Sequence, residues 1–131
     1  MRIILSVAFL GGLALGSPVV AAPFTGNDIY SACTNQTGQV QQGFCYGFIF
    51  GSVEAMKWGA LVGVVATSPD KIPQSEFDLK SSVALGFCIP PNAENGQILD
   101  VVVNYLDENP ATRHETARTL IQYALAASFP C

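Results

Sequence analysis

The chain has 131 residues, half of them hydrophobic and only 12% charged, with 6 Lys and Arg against 10 Asp and Glu. That length suits one domain with a modest core. The acidic balance excludes a nucleic-acid-binding module, which needs clustered Lys and Arg.

The N-terminus reads as a removable address. Arg2 supplies a positive n-region, Ile3 to Leu15 is an apolar run, and Gly16-Ser17-Pro18 breaks it before Val19-Val20-Ala21-Ala22, small residues suited to cleavage. Cleavage is expected after Ala21, because cutting after Ala22 would leave Pro23 beside the scissile bond. A membrane anchor is the weaker reading, since a span needs about 20 apolar residues and this run is shorter. Residues 1–21 are therefore assigned as a signal peptide and 22–131 as a single exported domain, with no membrane contact after cleavage. Loss of Arg2 leaves five basic residues against ten acidic ones.

Cys33, Cys45, Cys88 and Cys131 all follow the cleavage site. An even count in an exported chain predicts two disulfides. Metal binding would need closely spaced pairs such as C-x-x-C, which the sequence lacks, so no metal or cofactor is expected.

The fold class predicted is all-α, a small stapled domain of about four to five helices. The first helix opens near Thr25, with Asp28 three residues on as in a capping box; Ile29, Ala32 and Cys33 share a face, and Thr37-Gly38 closes it. The second runs from about Gln41 to Ala66 and carries small residues at steps of four: Gly47, Gly51, Ala55, Gly59 and Gly63. Glycine costs a helix interior up to about 1 kcal/mol each relative to Ala, so this column predicts close approach of another backbone, in the core or across a dimer interface. Glu54 and Lys57 in the middle of the helix argue against a membrane span.

From Thr67 to Ser82 the periodicity dissolves. Ser68-Pro69-Asp70-Lys71-Ile72-Pro73 reads as a loop, with a short helical turn starting at Ser75. After Pro90-Pro91-Asn92, Ile98, Val101, Val102, Tyr105 and Leu106 recur with helical spacing until Asn109-Pro110. Thr112 to Glu115 is a predicted capping box for a last helix with Ala117, Leu120, Ile121, Ala124 and Leu125 on its apolar face. The last two helices form one αα-hairpin and the first two another.

Hairpin geometry brings Cys131 back towards Cys88, and Cys33 and Cys45 flank the first turn symmetrically. The pairs Cys33–Cys45 and Cys88–Cys131 follow, closing loops of 13 and 44 residues worth about 3 to 4 kcal/mol each in the chain-entropy model. The crossed connectivity, Cys33–Cys131 with Cys45–Cys88, stays open at this stage.

These residues together resemble the Rap/Tai family of type VI secretion immunity proteins. The matching pieces are Gly26-Asn27-Asp28-Ile29 leading to Cys33; Phe44-Cys45-Tyr46-Gly47-Phe48-Ile49 with Gly51 and Glu54-Ala55; Phe87-Cys88-Ile89-Pro90; Gly96-Gln97 with Val102, Tyr105 and Leu106; Pro110, Arg113-His114 and Ala117; and Ala124-Leu125 with Phe129-Pro130-Cys131. The chain departs at Phe48-Ile49-Phe50, where the family usually carries a Tyr near the first position, and its Ser68–Lys80 stretch is its own. The resemblance implies a periplasmic, mostly helical, disulfide-bonded protein, often dimeric, that binds a peptidoglycan-cleaving amidase effector and blocks its cleft.

Single residues carry less. His114 is the only histidine and has no evident partner for general-base work. Asp100, Asp107 and Glu108 read as solvated charge on an amphipathic helix. Arg113, at the predicted start of the last helix, is unfavourable to the macrodipole and calls for a carboxylate from Asp107, Glu108 or Glu115. Tyr46 and Trp58, twelve residues apart and roughly on one side, suit core or interface equally. No catalytic residue is assigned.

The expected function is therefore binding, not catalysis. Asp70, Lys71, Glu76, Asp78 and Lys80 are assigned to effector contact, and the small-residue column to a homodimer. The alternative is a small periplasmic acid-stress chaperone for unfolded clients, which the low pI also fits.

Overall fold

The computed structural model describes residues 22–35, 38–68 and 70–131; the assigned signal segment lies outside them, as do part of the first predicted turn and Pro69. Five α-helices follow in order: α1 Gly26–Thr34, α2 Gln39–Thr67, α3 Phe77–Leu85, α4 Asn95–Glu108 and α5 Ala117–Ser128. Short 3-10 turns occupy Gln74–Glu76 and Pro110–Thr112. The domain is all-α.

α1 starts as its capping residues require. The Asp28 carboxylate accepts the Thr25 backbone N–H at 2.8 Å and the Thr25 hydroxyl at 2.7 Å, while Thr25 Oγ1 accepts the Asp28 N–H at 3.3 Å. The entry is also stitched to the α4–α5 connection: Gly26 N–H donates to Glu115 O, Asn27 N–H to Arg113 O, and Ala117 N–H to Phe24 O. This approach demands glycine at 26. A Cβ there would lie 2.4 Å from Leu120 Cδ1, closer than real Cβ atoms come, and 3.0 Å from the Arg113 carbonyl oxygen, tighter than nearly all real contacts.

Beyond the far end of α5 a second backbone bridge pairs Phe87 with Pro130, and Cys88 N–H donates to Phe129 O at 2.8 Å. The Cys88–Cys131 disulfide closes this end, and Cys33–Cys45 staples α1 to α2. α3 stops at Gly86, whose φ of +78° places it in the left-handed region that glycine adopts without penalty. The turn delivers Phe87, fully buried, into the core beside Cys88. Ile29, Ile49, Val102, Leu106, Leu120, Ile121 and Leu125 complete that core. Both stapled hairpins, α1–α2 and α4–α5, face it.

Three local expectations change. Thr112 belongs to a 3-10 turn, and α5 begins only after Thr116, whose hydroxyl meets Thr119 Oγ1 at 2.8 Å instead of capping the helix. The reason is Pro110: it tightens the chain into a 3-10 turn before the α-helix is set. Arg113 therefore does not oppose a macrodipole. It reaches back to the end of α4, where Nε donates to Leu106 O and Nη2 to Asp107 O, the favourable end for a cation. Third, the short helical turn expected from Ser75 is the start of a longer element, since the 3-10 turn from Gln74 leads directly into the nine-residue α3.

Candidate interaction surfaces

α2 sets the geometry. At 29 residues it is about 43 Å long, and only Cys45, Ile49 and Val53 are buried. It is long and apolar enough to cross a membrane by composition, yet it is disulfide-bonded to α1, and Lys57 donates to Asp78 of α3 at 2.6 Å. An all-round apolar helix is ordinarily enclosed on every side. This one leaves Val40, Phe44, Trp58, Val62 and Val65 exposed, Val40 at 81% and Trp58 at 68%.

Among the described residues, no backbone fills the small-residue column. A Cβ built at Gly47, Gly51, Gly59 or Gly63 meets nothing within 4 Å. Four residues advance an α-helix by about 400°, so each step drifts about 40° and Gly63 lies about 160° round from Gly47. The column is a spiral, not one face. Its first four members line an open groove of about 640 Å³ whose far wall is Arg118, Thr119 and Gln122 of α5. By the same arithmetic Tyr46 and Trp58 lie about 120° apart: Tyr46 stacks on Phe50 at 6.1 Å, while Trp58 stands in solvent.

Beyond Val53, α2 and α3 form an arm. α3 buries Ser81 and Ser82 and exposes Leu79 and Val83, at 61% and 57%. Ser81 Oγ is satisfied by the Asp78 carbonyl at 3.0 Å, so the serines let α3 lie close to α2 without an orphaned hydroxyl. A shallow groove of about 430 Å³ runs along Val64, Leu79, Lys80, Val83 and Ala84. Gln122 ties the base of the arm to the core through the Leu85 carbonyl at 3.0 Å.

The five charged residues assigned from sequence lie on this arm but play different parts. Asp78 pairs with Lys57, and Glu76 meets Lys80 at 3.3 Å. Asp70 and Lys71 are exposed at the tip side of the arm, between α2 and the 3-10 turn.

Elsewhere, Arg113, Tyr30 and Asp107 form one unit. The guanidinium lies 3.8 Å from the Tyr30 ring centroid and 3.6 Å from Asp107 Oδ1, and the Tyr30 hydroxyl donates to Asp107 at 2.6 Å. The carboxylate's bond holds the Tyr30 phenol above its usual range. This unit ties α1 to the end of α4; Asp107 is the carboxylate partner of Arg113. His114 is exposed, with Nδ1 3.0 Å from the Ala111 carbonyl.

The exposed apolar set — Val40, Phe44, Val62, Val65, Leu79 and Val83 — was not picked out by sequence reasoning. Its one signal was that α2 is apolar on all sides, which says that something covers it without saying what.

The comparisons with known proteins come to one match. No curated protein and no solved structure matches the chain. The family model of the Rap1a immunity proteins matches residues 25–131, from the Thr25 cap to the terminal Cys131. That span takes in both staples and the whole core, and the chain belongs to the Rap1a immunity protein family.

Proposed function

We propose that the chain is a periplasmic type VI immunity protein that binds a peptidoglycan-cleaving amidase effector and occludes its active-site cleft. The family match over residues 25–131 carries this reading. In support, the α2–α3 arm offers a preformed surface. Three of its five assigned charges, Glu76, Asp78 and Lys80, are held by the Lys57–Asp78 and Glu76–Lys80 pairs, so less side-chain entropy is lost there on docking than for a mobile loop. Export after Ala21 would give the chain the oxidising compartment its two disulfides require. The protein acts by binding, without catalysis of its own, and as a homodimer.

The test is charge reversal of Asp70, Glu76 and Asp78 together, with Asp70→Lys alone beside it because Asp70 belongs to neither ion pair. The triple variant should lose effector binding and protection while keeping its far-UV circular dichroism. If it protects cells as well as the parent, the contact surface is elsewhere. If no amidase binds and the protein suppresses client aggregation in acid, the chaperone reading replaces this one.

A further inference from the structure

We propose that a second copy of this chain covers the outer face of α2 in an antiparallel seam whose two-fold axis passes Gly51. The seam rests on the homodimer reading above and specifies what that reading leaves open: symmetry, register and contact residues.

Seven exposed positions lie within about 80° of one another on α2, opposite the buried Cys45, Ile49 and Val53: Val40, Phe44, Gly47, Gly51, Ala55, Trp58 and Val62. Their spacings read 4-3-4 up to Gly51 and 4-3-4 beyond it, each half in the a/d rhythm of a helix–helix seam, with two fours meeting at Gly51. The pattern is the same in both directions. When two copies run antiparallel with Gly51 at the crossing, Phe44 falls opposite the partner's Trp58, Val40 opposite its Val62, and Gly47 opposite its Ala55. An isologous dimer requires this self-complementarity.

Size follows the same logic. The centre of the face is glycine and alanine, which lets the helix axes approach, while the large side chains stand away from it. Phe44 is braced by Phe24 and Phe48, with ring centroids 5.3 and 5.8 Å away, so it is a fixed projection, not a loose one. Glu54 and Lys57 are the only charged residues of α2; Lys57 is turned to Asp78, which leaves Glu54 of α2 and Arg118 of α5, across the groove, as the charges bordering the face. From exposures of 81% for Val40, 38% for Phe44, 68% for Trp58 and 52% for Val62, these four side chains would remove about 360–600 Å² per copy from water, taking about 150–250 Å² for a whole large side chain. A stable interface buries about 800 Å² per partner, so these side chains alone supply about half to three-quarters of what a dimer needs.

Position 51 gives a direct test on the exported, oxidised protein. A Cβ there meets nothing within 4 Å and opens into the groove, so Gly51→Cys should keep the fold of the monomer. On the axis, its thiol meets its own symmetry mate. Under mild oxidation Gly51→Cys should run as a covalent dimer on a non-reducing gel, with peptide mapping confirming that the two native disulfides are intact. Gly63→Cys, about 120° away round the helix, should not cross-link. Trp58 is the only tryptophan, so its emission should shift to longer wavelength as the protein is diluted to monomer. Trp58→Glu and Val62→Glu should each raise the dimer Kd by at least about 30-fold, the loss expected of a hot spot. A dimer in which position 51 does not cross-link overturns the seam and leaves the homodimer reading standing. Sedimentation as a monomer at every accessible concentration overturns both, and neither result depends on whether an amidase binds.

Discussion

Glycine to alanine should have opposite signs at two places in this chain. At Gly26 the new methyl would stand 2.4 Å from Leu120 Cδ1, 3.1 Å from Leu106 Cδ2 and 3.0 Å from the Arg113 carbonyl oxygen. The two leucines lie in the core at 1% exposure, and the carbonyl is fixed because it also accepts the Asn27 N–H at 2.9 Å. Relief requires either moving the leucine rotamers or lifting α1 off the α4–α5 connection. Overpacking of this kind costs about 1–3 kcal/mol, against which alanine's better helix propensity offsets at most about 1 kcal/mol. A net loss of about 1–2 kcal/mol is expected, or about 4–15 °C in Tm for a domain near 100 residues. At Gly63 a methyl meets nothing within 4 Å, and Gly63→Ala should stabilise by about 0.5–1 kcal/mol. Thermal unfolding of the oxidised protein by far-UV circular dichroism reads both. A Gly26→Ala variant as stable as the parent would refute the close-approach argument. A destabilising Gly63→Ala would refute the claim that the later glycines face open space within the monomer.

Other outcomes follow from the same contacts. Arg113→Ala should cost about 2–3 kcal/mol in urea unfolding, since it frees two carbonyls at the end of α4 from a charged donor; Arg113→Lys should recover only part, because an ammonium lacks the planar fork. The Tyr30 phenol, raised by its bond to Asp107, should titrate above the ordinary tyrosine range, and Asp107→Asn should bring it down in an ultraviolet titration. Because the folded value lies above the unfolded one, its stabilising contribution is complete below pH about 10 and is lost as pH rises through the folded pKa. Asp28 behaves inversely: the Thr25 backbone N–H and then its hydroxyl hold the carboxyl below its usual range, so its contribution is present above that range and lost as pH falls through the lowered value. Asp28→Asn should remove that part of the acid dependence, and Thr25→Ala should cost about 1 kcal/mol. Thiol titration of unfolded, non-reduced protein should find no free cysteine, consistent with the two disulfides; two or more thiols per chain would contradict it.

Local chemistry made much of this fold legible in sequence. Thr25 and Asp28 announce the start of α1, because capping involves only residues three apart. The spacing of Ile98, Val102 and Leu106 and of Leu120, Ile121 and Leu125 names the buried faces of α4 and α5, since each helix turns one stripe to the core. Disulfide pairing followed from the hairpins, because an antiparallel return brings chain ends together whatever the details of packing. The length of α3 was not legible: it buries serines and exposes Leu79 and Val83, which inverts the pattern that periodicity depends on. Arg113 was misplaced for a related reason. A 3-10 turn and an α-helix begin with the same residues, and only the path after Pro110 decides which helix end the guanidinium meets.

The sequence by itself determined a stapled, all-α domain and the family to which its ordered motifs belong, since caps, periodicity and cysteine spacing are properties of neighbours along the chain. Tertiary structure alone decided which side of α2 is buried and which is left exposed. That helix is apolar all round, so its composition points in no direction; the direction comes from Cys45, Ile49 and Val53 packing inward. Their inward packing turns Val40, Phe44, Gly51, Trp58 and Val62 outward as one face, and the same packing leaves the glycine spiral open where sequence could not distinguish core from interface.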